Sequence, residues 1–284
     1  MEKFSDKMGF TKTSEIIQVD FIDMPLRTQL YNAIHEFYFQ NTENHYQGWN
    51  DSKEYTLYKI IWTDYFGKFV DKIPHHFFEF KNYIQQNIFI DPKSWYEPYN
   101  FIQFLANIST ENSILIIYFN HHLKNHLSGY TFINRVLSPI TNKGEINSIE
   151  NAIKVSKHSK LQGVQIHIKQ SLLSLSSFDN PDYRTSIKES ISAIESTLNI
   201  LNGTTRLTFS KAFNELNTKL NLPGALVSSY KSLYGFTSDK EGIRHFLTEK
   251  STLDQEDAIY FLVNCSSFIN YLVTKSKKAG IFKN

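Results

Sequence analysis

Between residues 183 and 203 the chain carries an apolar stripe that an α-helix can bury along one face. Large apolar side chains recur there every three or four positions: Tyr183, Ile187, Ile191, Ile194, Leu198 and Leu201. This spacing follows the 3.6-residue turn of an α-helix. Pro181 opens the stripe and Gly203 ends it, as expected for a helix start and stop. Such a helix needs other apolar surfaces against it, which predicts a helical bundle.

Further stripes of the same kind fill the carboxy-terminal half. They cover residues 161–175, 209–220, 226–233 and 254–275, and a connecting helix begins near Glu145. Helices joined by short loops predict an antiparallel bundle. Pro139, Asn142 and Gly144 cluster just before it, which predicts a linker. We therefore expect two domains, residues 1–140 and 141–284.

The amino-terminal half is aromatic-rich and is also patterned as helices. Of the 42 Phe, Trp and Tyr residues, 29 lie in residues 1–143. Helices are predicted from Asp23 with Pro25 in the first turn, over residues 53–70, after Pro74, from Glu97, and over residues 111–127. A strand is the alternative for residues 114–119, because short apolar runs are ambiguous. Residues 40–52 are polar and are predicted to form a loop.

A small β-hairpin is expected after these helices. Residues 130–133 and 136–140 flank Asn134 and Arg135, and Pro139 restricts the second strand to an edge. The predicted fold class is therefore mainly all-α, with an aromatic-rich helical amino-terminal domain that includes a hairpin, followed by a helical bundle.

Residues 231–249 are the stretch most suggestive of chemistry. Ser238 and Asp239 favour the start of a turn, which Gly242 then interrupts. Arg244 offers a planar fork of donors to phosphate, and His245 can exchange a proton near neutral pH. Together they suit the attack of an RNA 2′-hydroxyl on its own phosphodiester without a metal ion. The alternative is a surface turn whose Arg and His side chains cap neighbouring carbonyls.

Several runs of sequence carry a resemblance to a known family. They are Phe4-Ser5-Asp6-Lys7-Met8-Gly9-Phe10 at the start, Asn180-Pro181-Asp182-Tyr183-Arg184, Ser238-Asp239 with Gly242-Ile243-Arg244-His245, and Cys265 to Leu272. The last three resemble the HEPN-type helical domain of AbiJ-like abortive-infection proteins. The first resembles the amino-terminal domain often fused to it.

This resemblance implies a HEPN-like antiparallel bundle that pairs as a homodimer and cuts RNA without metal. It gives His245 the role of general acid or base and Arg244 that of stabilising the phosphorane-like charge, with Asp239 orienting one of them. The amino-terminal domain would sense a phage or host protein trigger. Arg244 is adjacent to His245, whereas the family places its Arg further upstream, at about Leu233, Tyr234 or Gly235, none of which is basic. A non-catalytic RNA- or protein-binding module is therefore the alternative.

Other polar residues have open interpretations. Arg184 and Lys188 share a helix face with Glu195 and either bind RNA beside the Arg–His pair or form a solvated face with local ion pairs. Cys265 lies on an apolar stripe and is expected to be a buried structural thiol.

The remaining charged residues and histidines suggest no cofactor. His121, His122 and His126 have a spacing that suits zinc, but ordinary surface or half-buried histidines are the favoured interpretation, so no metal or cofactor is predicted. The net charge is +2, and Lys275, Lys277, Lys278 and Lys283 are interpreted as a solvated basic tail.

The sequence also bears on the cellular compartment. Its longest purely apolar run, residues 114–119, is far shorter than a membrane span, and its start lacks an apolar signal core. The single cysteine excludes an internal disulfide. The protein is expected to be cytoplasmic, with no membrane partner.

Overall fold

The structure, a computed structural model, describes residues 18–43, 50, 52, 54–108, 113–177, 180–237 and 253–282. The chain divides into two units, Met1–Leu137 and Ser138–Asn284. The described residues are mostly helical, with one two-stranded sheet, so the predicted all-α class is confirmed. The unit boundary falls close to the predicted domain boundary at residue 140, while the roles assigned to the two domains stay predictions.

The amino-terminal unit contains six α-helices and one hairpin among its described residues. The elements are α1 (Met24–Ile34), α2 (Gln40–Glu43), α3 (Tyr55–Ile60), α4 (Phe77–Ile84), α5 (Glu97–Ile108), α6 (Ser113–Asn125), β1 (Thr131–Ile133) and β2 (Val136–Ser138). Three of the helices continue into π-helical segments, His35–Phe39 after α1, Ile61–Tyr65 after α3 and Gln85–Ile90 after α4, and a short 3₁₀ turn covers Val70–Lys72.

Most of these helices begin where the sequence predicts. The Asp23 side chain accepts a hydrogen bond from the backbone N–H of Leu26 at 2.8 Å, which caps α1. Helix α6 covers residues 114–119, so the strand alternative is wrong. The predicted loop from Gln40 is also wrong in its first residues, because α2 occupies Gln40–Glu43. There the helical path that starts at Met24 continues through the π-helical segment instead of ending.

Aromatic side chains fill the core of this unit. Tyr58 and Phe80 are fully buried, and their ring centroids lie 5.2 Å apart. The Tyr58 hydroxyl donates to the carbonyl of Tyr38 at 2.7 Å and also pairs with the Thr42 hydroxyl at 2.7 Å. Because its polar end is satisfied, the large Tyr58 ring can be buried without an unpaired hydroxyl.

The hairpin forms as predicted, around a tight turn. Asn134 and Arg135 both have positive φ, 44° and 71°, as a two-residue turn of type I′ requires. The Arg135 guanidinium donates to the carbonyl of Ala106 through Nε at 2.9 Å and Nη2 at 2.6 Å. The turn therefore also satisfies a carbonyl near the end of α5.

The carboxy-terminal unit is a bundle of α-helices in the part that is described. Its helices are α7 (Lys143–Val155), α8 (Gln162–Leu175), α9 (Tyr183–Asn202), α10 (Phe209–Leu220), α11 (Gly224–Phe236) and α12 (Gln255–Lys278), with a 3₁₀ turn at Ser159–Leu161. Helix α9 starts at its cap, Asp182, so Pro181 precedes the helix and is not in its first turn. Helix α11 extends to Phe236, beyond the end of its predicted stripe at residue 233.

Side-chain contacts set the directions of these helices. Ser171 of α8 hydrogen-bonds Ser186 and Ser190 of α9 across an antiparallel pair. Helix α11 runs antiparallel to α12, since Tyr230 stacks on Phe268 and Phe236 stacks on Phe261.

Helix α7 runs in the same direction as α12. Near the start of α7, the Ser148 carbonyl accepts a hydrogen bond from Asn270 of α12 at 2.9 Å. Just beyond the ends of the two helices, His158 packs on Phe282. Helix α7 therefore lies along the carboxy-terminal part of α12, and the carboxy-terminal turns of both helices lie at the same end of the bundle. Among the residues described, no helix combines the length and apolarity that crossing a membrane demands.

Candidate functional site

The predicted catalytic residues Asp239, Arg244 and His245 lie outside the described residues, within 238–252. The described chain stops at Thr237 and resumes at Leu253. Thr237 is buried, and its hydroxyl donates to the carbonyl of Tyr234 at 2.7 Å. On the other side, Asp254 caps α12 in a capping box with Asp257. The described residues on either side of the Arg–His stretch, Thr237 and Leu253, are therefore both part of the bundle.

Thr237 and Leu253 both lie at the end of the bundle that also holds Arg184. Phe236, next to Thr237, stacks on Phe261 in α12 with ring centroids 5.6 Å apart. Burial raises the pKa of the Tyr183 hydroxyl, and the nearby carboxylates of Glu256 and Asp254 raise it further. Tyr183 therefore lies beside the first turn of α12. Arg184 is the next residue along.

The predicted RNA-binding pair is on the surface of this end. Arg184 is half-buried in the first turn of α9, and Lys188 is exposed one turn later. Glu195, which was predicted to share their face, lines a separate cleft further along α9. The described residues thus place Tyr183, the neighbour of Arg184, beside the first turn of α12, whereas Glu195 lines a different cleft.

A cleft of about 540 Å³ opens between α7, α11 and α12, and we call it the aromatic cleft. Its lining includes Glu145, Tyr230, Glu256, Tyr260 and Asn264. The Tyr230 ring stacks on Phe268 at 3.5 Å between centroids, whereas Tyr260 is 54% exposed. Glu256 lines this cleft and also lies near Tyr183. The cleft therefore adjoins the end of the bundle that holds Arg184.

The polar groups of the aromatic cleft favour a planar ligand over a phosphate. Burial raises the pKa of Tyr230, and Cys265 and Tyr260 raise it further, so its hydroxyl stays a donor at neutral pH. Asn264 Oδ1 is buried, and none of the described residues donates a hydrogen bond to it. The carboxylates of Glu145 and Glu256 repel anions. The cleft can therefore stack a planar group and accept its N–H.

Cys265 is buried behind this cleft, as predicted. It is a free cysteine, and burial raises the pKa of its thiol, which keeps the thiol protonated. Asn270 Nδ2 donates to the carbonyl of Ser148 in α7 at 2.9 Å. Its role among the described residues is to hold α7 on α12.

A second site, between α8 and α9, is not apparent from the sequence. His167 Nδ1 lies 2.6 Å from Glu189 Oε2, beside a cleft of about 360 Å³ that is also lined by the hydroxyls of Ser192, Ser196 and Thr204. A carboxylate on one ring nitrogen orients an imidazole and leaves the other nitrogen available. The pair is 22 positions apart on two helices, so only the pairing of α8 with α9 could have revealed it.

The histidines of α6 do not assemble a metal centre in the part that is described. His121 Nε2 pairs with Asn125 Nδ2 at 2.8 Å. Burial lowers the pKa of His122, and the neighbouring His121 and His126 lower it further. Among the described residues, no group of three or more His, Cys, Asp and Glu side chains could hold a metal ion.

Comparison with known proteins assigns the amino-terminal part of the chain. The model of the family described as AbiJ N-terminal domain 4 matches residues 2–155. The match covers the amino-terminal unit and ends at the last residue of α7. No curated protein and no solved structure matches the chain. Since the match spans more than half of the chain, the protein belongs to the AbiJ N-terminal domain 4 family, a family of abortive-infection and defence-related proteins.

Proposed function

We propose that this defence protein is a metal-independent endoribonuclease whose chemistry lies in a HEPN-like carboxy-terminal bundle. His245 acts as general base and then general acid, Arg244 stabilises the charge that develops on the phosphate, and Asp239 orients one of them. Arg184 and Lys188 bind the RNA backbone. The amino-terminal unit responds to a phage or host protein trigger.

The proposed reaction uses only groups that RNA and protein side chains supply. The 2′-hydroxyl loses its proton to the His245 imidazole while its oxygen forms a bond to phosphorus, and the bond from phosphorus to the 5′-oxygen breaks. The leaving 5′-oxygen takes that proton from the His245 imidazolium, which gives a 2′,3′-cyclic phosphate and a 5′-hydroxyl. General acid–base catalysis of this kind contributes about 10²–10⁴ in rate, and an Arg fork complements the charged oxygens.

One observation carries this proposal. Arg184 follows Tyr183, which lies beside Asp254 and Glu256, at the end of the bundle where the chain leaves Thr237 and returns at Leu253. This position supports a site in which Arg184 and Lys188 serve the same RNA as the Arg244–His245 pair.

The aromatic cleft supplies a place for a base next to that backbone. Tyr260 offers an exposed ring for stacking, which is worth about 1–3 kcal/mol per base. Asn264 Oδ1 can accept an N–H from the base edge, and Tyr230 can donate. Glu145 and Glu256 exclude phosphates from the cleft, so the base would enter it and the backbone would face Arg184.

The test is RNA cleavage by the purified full-length protein in EDTA. We expect the unaltered protein to leave 2′,3′-cyclic phosphate ends, and His245→Ala and Arg244→Ala to cleave at least about 10²-fold more slowly. His76→Ala is the matched control, because His76 is exposed and precedes α4 in the amino-terminal unit. Lys188→Ala should weaken cleavage, whereas Lys211→Ala, which changes an exposed lysine of α10, should not.

Growth of cells that express each variant decides the case if the purified protein needs its trigger. Growth arrest by the unaltered protein that His245→Ala abolishes, with an unchanged melting temperature, supports the nuclease. Growth arrest that survives His245→Ala rejects it. In that case the bundle would be a non-catalytic RNA- or protein-binding module.

A further inference from the structure

Six exposed lysines gather at the end of the carboxy-terminal unit where α7 and α12 finish. We call this group the lysine end, and it consists of Lys154, Lys157, Lys160, Lys275, Lys277 and Lys278. In the sequence they form two groups more than a hundred positions apart. From the sequence alone, only the second group is interpreted, as a solvated tail. The structure joins the two groups into one surface.

Contacts between α7 and α12 bring the two groups together. The rings of His158 and Phe282 pack with centroids 5.0 Å apart. The backbone N–H of Phe282 donates to the carbonyl of Ser276 at 3.2 Å, which folds the end of the chain back on α12. His158 is next to Lys157, and Ser276 stands between Lys275 and Lys277. The lysines on both sides of this ring contact therefore share one surface.

Few acidic side chains offset this charge. Residues 151–163 and 273–282 contain no Asp or Glu. Glu150 lies one turn before Lys154, and Glu195 reaches the neighbouring cleft beside Gly163. Within the described part of the chain, Lys154, Lys157, Lys160 and Lys278 form no salt bridge. The lysine end is a strongly positive surface.

Stabilisation of the helix ends accounts for only part of this charge. Two helices, α7 and α12, end here, and each helix carboxy-terminus carries roughly half a negative charge. Six lysines exceed that requirement several-fold, and Lys157 and Lys160 follow the end of α7 instead of lying in its last turn. The excess positive charge therefore points to an anionic partner.

The side chains around the lysines indicate which kind of anion this surface binds. An interfacial membrane helix adds exposed apolar side chains to its basic face. Here Phe282 is buried. Dispersed lysines without apolar anchors suit the phosphate backbone of a nucleic acid, which binds through charge and counterion release.

We propose that the lysine end is a docking surface for the RNA backbone, at the end of α12 opposite Arg184. The choice of RNA rests on the proposed function, whereas the charge of the surface does not. Helix α12 has 24 residues and is about 36 Å long at 1.5 Å per residue. An RNA strand held at the lysine end would therefore extend along α12 to reach Arg184 at the opposite end.

The test is binding of a fluorescent oligouridylate to the full chain carrying His245→Ala, which prevents cleavage, across a series of salt concentrations. Lys157→Gln, Lys160→Gln and Lys278→Gln are combined. At about 0.1 M salt we expect about a 10- to 100-fold loss of affinity, and a fall of about 2 in the slope of log affinity against log salt, since each phosphate contact contributes about 0.7. The Lys→Arg triple variant should keep the affinity.

A second triple variant controls for net charge. Lys93→Gln, Lys143→Gln and Lys211→Gln remove three exposed lysines elsewhere and should leave the affinity nearly unchanged. An equal loss in this control, or no RNA binding by the parent chain, overturns the proposal. Binding that depends on the lysine end but occurs with vesicles of phosphatidylserine and phosphatidylcholine, and not with RNA, also overturns it.

The outcome can be separated from that of the nuclease. Loss of affinity in the first triple variant, together with growth arrest that survives His245→Ala, would reject the nuclease and retain the docking surface. Cleavage that depends on His245, with an RNA affinity that the three lysine changes do not alter, would reject the docking surface alone.

Discussion

At the scale of single residues, the buried hydroxyl of Tyr99 should make the protein sensitive to alkaline pH. Burial raises the pKa of Tyr99 from 10.0 to about 12, and its hydroxyl pairs with the Ser128 hydroxyl at 3.0 Å. The unfolded chain therefore releases this proton first as the pH rises. Stability that is complete below pH 10 should fall by about 2–3 kcal/mol by pH 12. Urea unfolding at several pH values measures this loss.

The Tyr99→Phe variant identifies the contribution of this one residue. Phe cannot ionise, so the variant should lose about 1 kcal/mol near neutral pH with the hydrogen bond to Ser128, and its stability should fall less steeply above pH 10. Some alkaline loss should remain, because burial and Glu97 also raise the pKa of Tyr65. Tyr118→Phe, at an exposed tyrosine, is the control. Equal slopes in Tyr99→Phe and the unaltered protein would contradict this account.

At the scale of elements, the hairpin turn shows two opposing effects at Arg135. Its φ of 71° costs a non-glycine residue roughly 1–2 kcal/mol. Its guanidinium gives two hydrogen bonds to the Ala106 carbonyl, and bonds of charged groups contribute about 1.5–3 kcal/mol each. We expect the hydrogen bonds to win, so that Arg135→Gly lowers the free energy of unfolding by about 1–3 kcal/mol in urea denaturation.

The neighbouring position separates the two effects. Asn134 also has a positive φ, 44°, so Asn134→Gly relieves backbone strain and leaves the Arg135 bonds in place. This variant should be unchanged or more stable by at most about 1 kcal/mol. If Arg135→Gly proved as stable as Asn134→Gly, the bonds to Ala106 would contribute nothing.

Comparing the elements with the sequence shows which features the sequence predicts and which it does not. Capping residues such as Asp23 and periodic stripes such as Ile187 to Leu201 predict helices because their signals are local. The π-helical segments escaped prediction, since Phe37 continues the apolar spacing of an α-helix into His35–Phe39. Contacts between helices leave no local pattern. The pairing of His167 with Glu189 and the joining of Lys157 with Lys278 therefore required the structure.

At the scale of the whole carboxy-terminal bundle, charge is arranged along the helix axes. Asp182, Asp254, Glu256 and Asp257 lie at the amino-terminal ends of α9 and α12, where they complement the helix dipoles. The lysine end lies at the other extreme of α12. An RNA strand would be attracted to the lysines and repelled by the carboxylates, except near Arg184 and Lys188. A phosphate backbone would therefore be held more strongly at the lysine end than at the opposite end of α12.

Two copies of the carboxy-terminal bundle are expected to pair. The resemblance implies a homodimer through the carboxy-terminal unit, and α8 presents two exposed apolar side chains, Ile166 (64%) and Leu173 (50%). They are seven positions apart and therefore share a helix face. Burial of such side chains contributes about 1.5–3 kcal/mol each. We expect a dimer in sedimentation equilibrium that Ile166→Glu with Leu173→Glu converts to a monomer.

The control for this prediction places the same charge on another exposed apolar residue. Ile117 of α6 is 63% exposed in the amino-terminal unit, so Ile117→Glu should leave the dimer intact. A dimer that survives the changes in α8 would move the interface elsewhere, and a monomer at all concentrations would remove it. Loss of cleavage together with loss of the dimer would show that two bundles build one site, since a twofold interface brings the same surface of each copy together.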